Sequence, residues 1–212
     1  NLIEKLRYGE NPHQLGAFYS QNKKNKLEQI HGKTLSYNNY NDILAAITIS
    51  KSLPKNIGTV IVKHGNPCGV SALKNNLDSY KSALETDPIS AFGGIVSCNY
   101  KVTQKLAFML NKIFLEVIVA NGFDKKALKI LKSKKNLRLI DSSKISFSEV
   151  WKFNSLDNFT LMQSEDKKIF SKKDFRIVSK RQPSKSQLDN LMFAFNVCRY
   201  TKSNAIVLAS NK

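Results

Sequence analysis

The sequence is poor in acidic residues, in cysteine and in long apolar runs. Only 16 Asp+Glu stand against 34 Lys+Arg, which gives a formal net charge of +18 over 212 residues. The three cysteines, Cys68, Cys98 and Cys198, are odd in number and far apart, which excludes a disulfide framework and favours a reducing, cytoplasmic location. No stretch approaches the roughly 18 consecutive apolar residues of a membrane span, so we expect no membrane partner.

Arginine is also scarce, and this weakens a nucleic-acid interpretation of the basic charge. Most cations are lysines scattered along the chain, whereas arginine provides the forked contacts to phosphate and guanine. The sequence has no RNA-binding aromatic signature, helix-turn-helix pattern or zinc-finger spacing. We therefore expect a solvated basic surface and no nucleic-acid partner, with a small anionic substrate as the alternative reason for the charge.

Strand and helix patterns alternate regularly from Thr59 onward. Apolar runs of strand length are followed by stretches with apolar residues at helical spacing. The predicted strands cover residues 59–63, 94–97, 116–120 and 137–140, and the predicted helices cover residues 73–84, 106–113 and 124–131. Near-continuous apolar strands indicate a buried sheet covered by helices, so the predicted fold class is α/β.

The C-terminal part has a different pattern. Ser184 and Gln187 form a capping-box sequence ahead of apolar residues at helical spacing, which predicts a helix. Residues 204–212 contain an apolar run that predicts the start of a buried strand. We therefore expect an α/β domain over residues 1–170, followed by a helical connecting segment and the start of a strand over residues 171–212.

Two polar segments carry side chains that a hydrophobic core does not need. In residues 7–14, a turn rich in hydrogen-bonding groups, Arg7 is suited to bind a phosphate or carboxylate; a plain polar loop is the alternative. In residues 87–94, two adjacent glycines permit close backbone approach to a ligand, and Phe92 can stack on a planar ring. A simple turn is the alternative there.

A third segment, residues 63–69, carries the most specific signal. Lys63 and His64 end an apolar strand, and α/β proteins bind ligands beyond the carboxyl ends of strands. Histidine can accept or donate a proton near neutral pH. Because neighbours on a strand point to opposite faces, both side chains reach one substrate only if His64 lies in the loop, where we expect it. The loop is expected to be shaped by Gly65, Asn66, Pro67 and Gly69. A strand-end turn with a structural histidine is the alternative.

The same segment invites comparison with zinc deaminases, and the comparison fails. Their pattern is H-x-E followed by P-C-x-x-C, but here Asn66 stands in place of the glutamate and Ser71 in place of the second cysteine. His13 and His31 have no cysteine nearby in sequence. We therefore expect no catalytic metal.

Several motifs, taken in order along the chain, resemble one known family. They are LRYGENPHQ, GKTLSYNN, VIVKHGNPCGV, DPISAFGGI, VSKRQP and KSNAIV. The family is that of the bifunctional purine biosynthesis enzymes, in which AICAR transformylase is fused to IMP cyclohydrolase. The resemblance implies a cytidine-deaminase-like, layered α/β/α fold with a mixed sheet, followed by a smaller helical segment. It also implies that the chain corresponds to roughly the first two thirds of the transformylase module, without the cyclohydrolase domain.

The resemblance further implies a reaction and a set of site residues. The reaction is formyl transfer from the co-substrate 10-formyltetrahydrofolate to the 5-amino group of AICAR, in cytoplasmic homodimers whose active sites form between subunits. By their place in the motifs, His64 corresponds to the family's proton acceptor and Lys63 to its transition-state stabiliser. The positions that correspond to nucleotide contacts are Arg7, Tyr8, Phe92, Gly93, Glu116 and Asn204.

Two other functions stay open at this point. One is a basic module that binds nucleotide or RNA through the same loops without chemistry. The other is a non-catalytic fragment that folds and binds an AICAR-like nucleotide without turnover.

Overall fold

A computed structural model describes residues 1–20, 27–145 and 151–210. The strands are β1 (Leu2–Leu6), β2 (Gly16–Tyr19), β3 (Glu28–His31), β4 (Thr59–Lys63), β5 (Asn66–Ser71), β6 (Ile95–Cys98), β7 (Val117–Ala120), β8 (Arg138–Asp141), β9 (Trp151–Leu156) and β10 (Phe159–Ser164). The helices are α1 (Tyr37–Ser52), α2 (Asn76–Thr86), α3 (Pro88–Ala91), α4 (Gln104–Leu110), α5 (Lys125–Leu131) and α6 (Lys185–Cys198), with a 3₁₀ turn at Lys172–Asp174. Within these ranges, no helix combines the length and the apolar character needed to cross a membrane.

The chain divides into two compact units. Among the residues that the structure describes, the first unit holds residues 1–145 together with 200–202, and the second holds residues 151–199 and 203–210. The division therefore falls between residues 145 and 151, ahead of the boundary that the sequence predicts at residue 170.

The first unit is built on a mixed sheet of six strands in the order β3-β8-β7-β6-β4-β5. Strands β6, β7 and β8 are parallel. Strand β4 runs antiparallel to both of its neighbours, β5 and β6, and β3 runs antiparallel to β8. Strands β1 and β2 form a separate antiparallel hairpin. The parallel strands have continuous apolar sequences because helices cover both faces of the sheet.

Helices on both faces give the first unit three α/β/α layers. On one face, Ile61, Val96 and Ile118 belong to a buried cluster with residues of α2, α4 and α5. On the other face, the hydroxyl of Ser97 lies 2.8 Å from that of Ser50 in α1 and shares a hydrogen bond with it. Neighbouring residues of β6 thus face opposite layers, as the alternation along a strand requires. The predicted layered α/β fold with a mixed sheet is confirmed.

Helix α1 is held at both ends by satisfied polar groups. At its start, Ser36 Oγ accepts a hydrogen bond from Asn39 N at 3.1 Å, and Asn39 Oδ1 accepts one from Ser36 N at 3.1 Å. Near its end, the buried Asn99 donates through Nδ2 to Ser50 O at 2.8 Å and accepts from Gly58 N at 2.8 Å. Buried polar groups that are fully paired make the surrounding structure rigid. The helix is therefore a firm support for side chains on its exposed face.

The strands and helices predicted between residues 59 and 140 are confirmed, with small shifts at their ends. The strand predicted over residues 59–63 coincides with β4, and that predicted over residues 94–97 is β6, shifted by one residue. Leu73 lies before α2, and Ile113 lies after α4.

The second unit contains the predicted C-terminal helix and a hairpin. Helix α6 begins with the predicted capping box, in which Ser184 Oγ accepts from Gln187 N at 3.2 Å and Gln187 Oε1 accepts from Ser184 N at 2.9 Å. Within the described residues, strands β9 and β10 pair only with each other, and every residue of the two strands is exposed. No sequence signal above predicts this hairpin, and it makes the unit larger than the helical segment expected.

The strand expected over residues 204–212 is absent from its described part, residues 204–210. Ile206 is 91% exposed and Leu208 is 90% exposed. A strand is stable only when its backbone N–H and C=O groups pair with a neighbour, and no strand in the described ranges pairs with this segment. Asn211 and Lys212 lie outside the described residues.

Gly69 in β5 occupies a position that has no room for a side chain. A Cβ atom there would lie 2.0 Å from the carbonyl oxygen of Ala83 in α2. Gly69→Ala is therefore expected to lower the free energy of unfolding by about 3 kcal/mol, at the upper end of the usual cost of overpacking. Urea denaturation followed by circular dichroism measures this loss.

Gly65→Ala is the matched control for this prediction. Its new Cβ would meet only Asn41 Nδ2, at 3.6 Å, so the cost is that of a left-handed φ, about 1 kcal/mol. Equal losses in the two variants would contradict the steric account of Gly69.

Candidate active site

The predicted catalytic residues lie at one end of the six-stranded sheet. Val62 near the end of β4 pairs with Ile95 at the start of β6. Ile95 in turn lies beside Val117, the first residue of β7, which lies beside Arg138, the first residue of β8. The segments that follow β4 and precede β6, β7 and β8 therefore meet at the same edge. The candidate site lies at the carboxyl end of β4, as predicted. It lies at the amino ends, not the carboxyl ends, of the parallel strands β6, β7 and β8.

A two-residue turn joins β4 to β5. Lys63 is the last residue of β4 and pairs with Asn66, the first residue of β5. Between them, His64 has a φ of 55° and Gly65 a φ of 72°. Two positive φ values give a hairpin turn whose twist matches that of the flanking strands. His64 thus lies beyond the strand, as predicted, and the alternation of strand residues does not force its side chain away from that of Lys63.

The turn is shorter than the sequence pattern predicts. Of the residues expected to shape a loop, only Gly65 lies in the turn, whereas Asn66, Pro67 and Gly69 lie in β5. Strand β5 is an outermost strand that pairs on one side only. A proline is tolerated there because its missing N–H removes no bond to a further strand. A break in register beside Val62 accommodates the irregular pairing.

Lys63 is tied to the segment that precedes β6. Its Nζ donates a hydrogen bond to the carbonyl oxygen of Phe92 at 2.8 Å. The ring of Phe92 is 61% exposed and makes a tilted contact with Phe114, with ring centroids 5.3 Å apart. The next residue, Gly93, has a φ of 71° and donates its N–H to Phe114 O at 2.9 Å. This bend presents the Phe92 ring at the surface, where it can stack on a planar ligand.

Glu116 stands immediately before β7, and its carboxylate is held from two sides. Asn39 of α1 donates through Nδ2 to Oε2 at 2.8 Å, and Arg138 Nη1 lies 3.7 Å from the same oxygen. Arg138 is itself fixed because its Nε donates to Thr34 O at 3.0 Å. The side chain of Glu116 stays 42% exposed, so its carboxylate can still accept hydrogen bonds from ligand hydroxyls.

A small basic pocket shares Arg138 with this arrangement. Its volume is about 190 Å³, and its lining consists of Arg7, Tyr8, Lys33, Thr34, Leu35, Ser36 and Arg138. The lining includes three cations and no acidic residue. The pocket is smaller than the roughly 300–1,000 Å³ that a complete ligand fills. It suits one anionic group, such as a phosphate, which arginine and lysine bind through charge-assisted hydrogen bonds.

Arg7 and Tyr8 reach this pocket because the β1–β2 hairpin is anchored on α1. Tyr40 of α1 donates through its hydroxyl to Glu4 Oε2 at 2.8 Å, and its ring stacks on Phe18 with centroids 4.1 Å apart. Burial, followed by the contact with Glu4, raises the pKa of the Tyr40 hydroxyl. The hydroxyl therefore remains a neutral donor.

The structure brings most of the predicted site residues together at this edge of the first unit. They are Arg7, Tyr8, Lys63, His64, Phe92, Gly93 and Glu116. Asn204 belongs to the second unit, where it is exposed and outside any helix or strand. Its assignment to the site stays a prediction.

Sequence reasoning missed four residues at this edge: Lys33, which lines the basic pocket, and Asn39, Asp42 and Arg138, which hold neighbouring groups in place. Lys33 and Asn39 lie in the motif GKTLSYNN, whose density of polar groups was the available signal. Asp42 accepts hydrogen bonds from the backbone N–H groups of the β4–β5 turn. Asp42 and Arg138 have no local signal, because the contacts that place them at this edge are made with residues that are distant in sequence.

Cys68, the cysteine nearest to the turn, is a neutral thiol. Burial raises its pKa to about 11, and its Sγ lies 3.5 Å from the carbonyl oxygen of Ile61. The thiolate is the nucleophilic form of cysteine, so this side chain has little nucleophilic character near neutral pH. Across the described part of the chain, no three His, Cys, Asp or Glu side chains come together in a way that could hold a metal ion.

Comparison with known proteins identifies related sequences. The chain matches the family described as AICARFT/IMPCHase bienzyme over residues 1–212. Relatives named bifunctional purine biosynthesis protein PurH are 40% identical in Acetivibrio thermocellus, over 99% of this chain, and 43% identical in Leptospira biflexa, over 98% of it. The chain spans 42% of the length of the first relative and 40% of the second.

The raised pKa of Cys68 predicts slow alkylation. At pH 8 a thiol with a pKa of about 11 has about 100-fold less thiolate than one with the ordinary value near 9, and its reaction with iodoacetamide should be slower by at least that factor. Mass spectrometry of the Cys68 peptide measures the rate. The same protein unfolded in urea is the control, and similar rates in the two states would contradict the prediction.

Proposed function

Because the chain belongs to the AICARFT/IMPCHase bienzyme family, we propose that it provides the transformylase site of a purine biosynthesis enzyme. The proposed reaction moves the formyl group of 10-formyltetrahydrofolate to the 5-amino group of AICAR. The observation that carries the proposal is the meeting of three features at one sheet edge. These are the Lys63–His64 strand end, the carboxylate of Glu116 and the basic pocket.

The arrangement suggests how the nucleotide lies. The phosphate of AICAR fits the basic pocket, where Arg7, Lys33 and Arg138 supply positive charge. Glu116 is next to this pocket through its contact with Arg138, and its carboxylate is suited to accept hydrogen bonds from the ribose hydroxyls. The imidazole ring then extends toward Phe92 and Lys63, which are joined by a hydrogen bond.

The proposed chemistry assigns separate roles to the two residues at the end of β4. The amino group of AICAR is conjugated with an imidazole carboxamide and is a poor nucleophile. As its nitrogen attacks the formyl carbon, His64 accepts the amine proton, directly or through the carboxamide. Lys63 stabilises the oxyanion of the tetrahedral intermediate and donates a proton to the folate nitrogen as the carbon–nitrogen bond to folate breaks. The products are tetrahydrofolate and formyl-AICAR.

The remaining parts of the proposal come from the family resemblance. It assigns Asn204 to nucleotide binding, and it implies homodimers whose active sites form between subunits. Holding both substrates in register would supply much of the rate enhancement.

Replacement of Lys63 and His64 tests the proposal. The variants are made in the whole protein that the gene encodes. His64→Ala is expected to lower kcat for formyl transfer by about 10²–10⁴-fold with little change in AICAR affinity, the usual scale for a lost general base. Lys63→Ala should cost a comparable factor through the lost oxyanion partner. Because both act on one transition state, the double variant should lose much less than the product of the two single losses.

His31→Ala is the control, since this histidine lies in β3, outside the segments that carry the predicted site residues, and does not line the basic pocket. It should leave kcat unchanged. A kcat for His64→Ala within a few-fold of the unsubstituted protein would contradict the assignment, as would fully multiplicative losses. AICAR binding without any turnover in the unsubstituted protein would favour the non-catalytic alternative.

The nucleotide orientation predicts a phosphate-specific effect at Lys33. Lys33→Ala should weaken AICAR binding about fivefold, the scale of an exposed ion pair, as measured by calorimetric titration. The matching nucleoside, which lacks the phosphate, should bind equally to both proteins.

Lys135→Ala removes an exposed positive charge that does not line the pocket. This control should bind AICAR normally. If Lys33→Ala weakened the nucleotide and the nucleoside to the same extent, the phosphate would not lie in this pocket.

A further inference from the structure

The β4–β5 turn holds two successive residues in the left-handed region. His64 has a φ of 55° and Gly65 a φ of 72°. Glycine adopts this conformation freely, but a non-glycine residue is uncommon there and persists only where its surroundings hold it. Since the backbone dihedrals of His64 fix the direction of its Cα–Cβ bond, whatever holds this turn also fixes the position from which the imidazole extends.

The side chain of Asp42 supplies the required partner. Its Oδ2 accepts a hydrogen bond from His64 N at 3.2 Å, and its Oδ1 accepts one from Gly65 N at 2.6 Å. Successive backbone N–H groups in such a turn point to one side and form a concave site for an anion. Each carboxylate oxygen of Asp42 thus pairs with one of the two N–H groups.

The helix that carries Asp42 also carries the residue that holds Glu116. Asn39 and Asp42 are three positions apart in α1, so they lie next to each other on one helix face. Asn39 donates to Glu116 Oε2 at 2.8 Å, while Asp42 accepts from the turn. Ile43 and Ile47 of the same helix are buried, 0% and 1% exposed, and pack the helix into the core. A rigid helix therefore helps to position two site residues that flank different strands, His64 after β4 and Glu116 before β7.

From this geometry we propose that Asp42 is a positioning residue for formyl transfer, acting through the backbone of the turn to orient the imidazole of His64. The proposal rests on the function proposed above, in which His64 is the general base. It requires no contact between Asp42 and substrate.

Two substitutions weaken the hydrogen bonds between Asp42 and the turn to different extents. Asp42→Ala removes both acceptors, whereas Asp42→Asn keeps the shape of the side chain and one acceptor oxygen. In the protein as its gene encodes it, Asp42→Ala is expected to lower kcat by about 10²-fold, the scale of a misplaced catalytic group, with KM for AICAR changed less than threefold. Asp42→Asn should give an intermediate kcat, and it carries the test if the alanine variant does not fold. Asp78→Asn, the same chemical change at an exposed position of α2, should leave both constants unchanged.

A double-mutant cycle separates positioning from a general structural role. If Asp42 acts only through His64, adding Asp42→Ala to His64→Ala should lower kcat no further. Multiplicative losses would overturn the proposal, as would a raised KM with unchanged kcat. If His64→Ala itself left kcat unchanged, the proposed function would fail at His64 and the positioning role would fail with it. If His64→Ala lowered kcat as expected but the losses of the two variants multiplied, the proposed function would stand and the positioning role of Asp42 would fail.

Amide hydrogen exchange provides a readout that needs no turnover. The peptide containing His64 and Gly65 should exchange at least tenfold faster in Asp42→Ala than in the unsubstituted protein, as read by mass spectrometry, because both protecting hydrogen bonds are lost. Peptides from α2 should be unchanged. An unaltered rate at the turn would show that Asp42 does not hold it and would overturn the proposal.

Discussion

The direction of β4 within the sheet decides where the candidate site lies. Strands β6, β7 and β8 run parallel to one another, and β4 runs antiparallel to β6. The residues that follow β4 are therefore placed beside the residues that begin the parallel strands. If β4 ran parallel to them, Lys63 and His64 would lie at the opposite end of the sheet from Glu116. One reversal in strand direction thus brings the side chains of Lys63 and His64 to the same end of the sheet as the carboxylate of Glu116.

Helix α1 converts this placement into a defined geometry. His64 lies in a two-residue turn and Glu116 is a single residue before a strand, so neither position is fixed by a helix or strand of its own. Asn39 and Asp42 extend from one face of α1 to Glu116 and to the β4–β5 turn, and Tyr40 anchors the hairpin that carries Arg7. Both ends of the helix are fixed by satisfied polar groups. The candidate site consequently depends on a rigid element even though its residues lie at strand ends and in a turn.

The basic residues of the chain include a local cluster that the net charge alone does not reveal. The net charge of +18 comes mostly from scattered lysines, which argues against a nucleic-acid surface. Three cations nevertheless converge on one small pocket without an acidic partner in its lining. They come from the β1–β2 connection, from the segment after β3 and from β8, so no local stretch of sequence is unusually basic there. A site for a small anion is therefore compatible with an otherwise unremarkable basic surface.

Much of the fold followed from local patterns. The apolar run at residues 59–63 and the capping box at Ser184 correspond to β4 and α6, because hydrophobic periodicity and end capping depend on neighbours in sequence. The patterns missed α1, whose buried face includes the polar residues Asn39 and Ser50 and so interrupts the apolar repeat. They also predicted a strand after Asn204 where none forms in the described residues, because a strand requires a partner that local sequence does not reveal.

The sequence by itself determined the α/β class, most of the elements between residues 59 and 140 (though neither β5 nor α3), the family, and the placement of His64 beyond a strand end. Only the tertiary structure decided which residues support His64 and Glu116. Asp42 and Arg138 reach the site from a helix and a strand that are distant in sequence from the residues they hold. The physical reason is that hydrogen bonds and ion pairs of this kind depend on distances set by sheet order and helix packing, which no local pattern encodes.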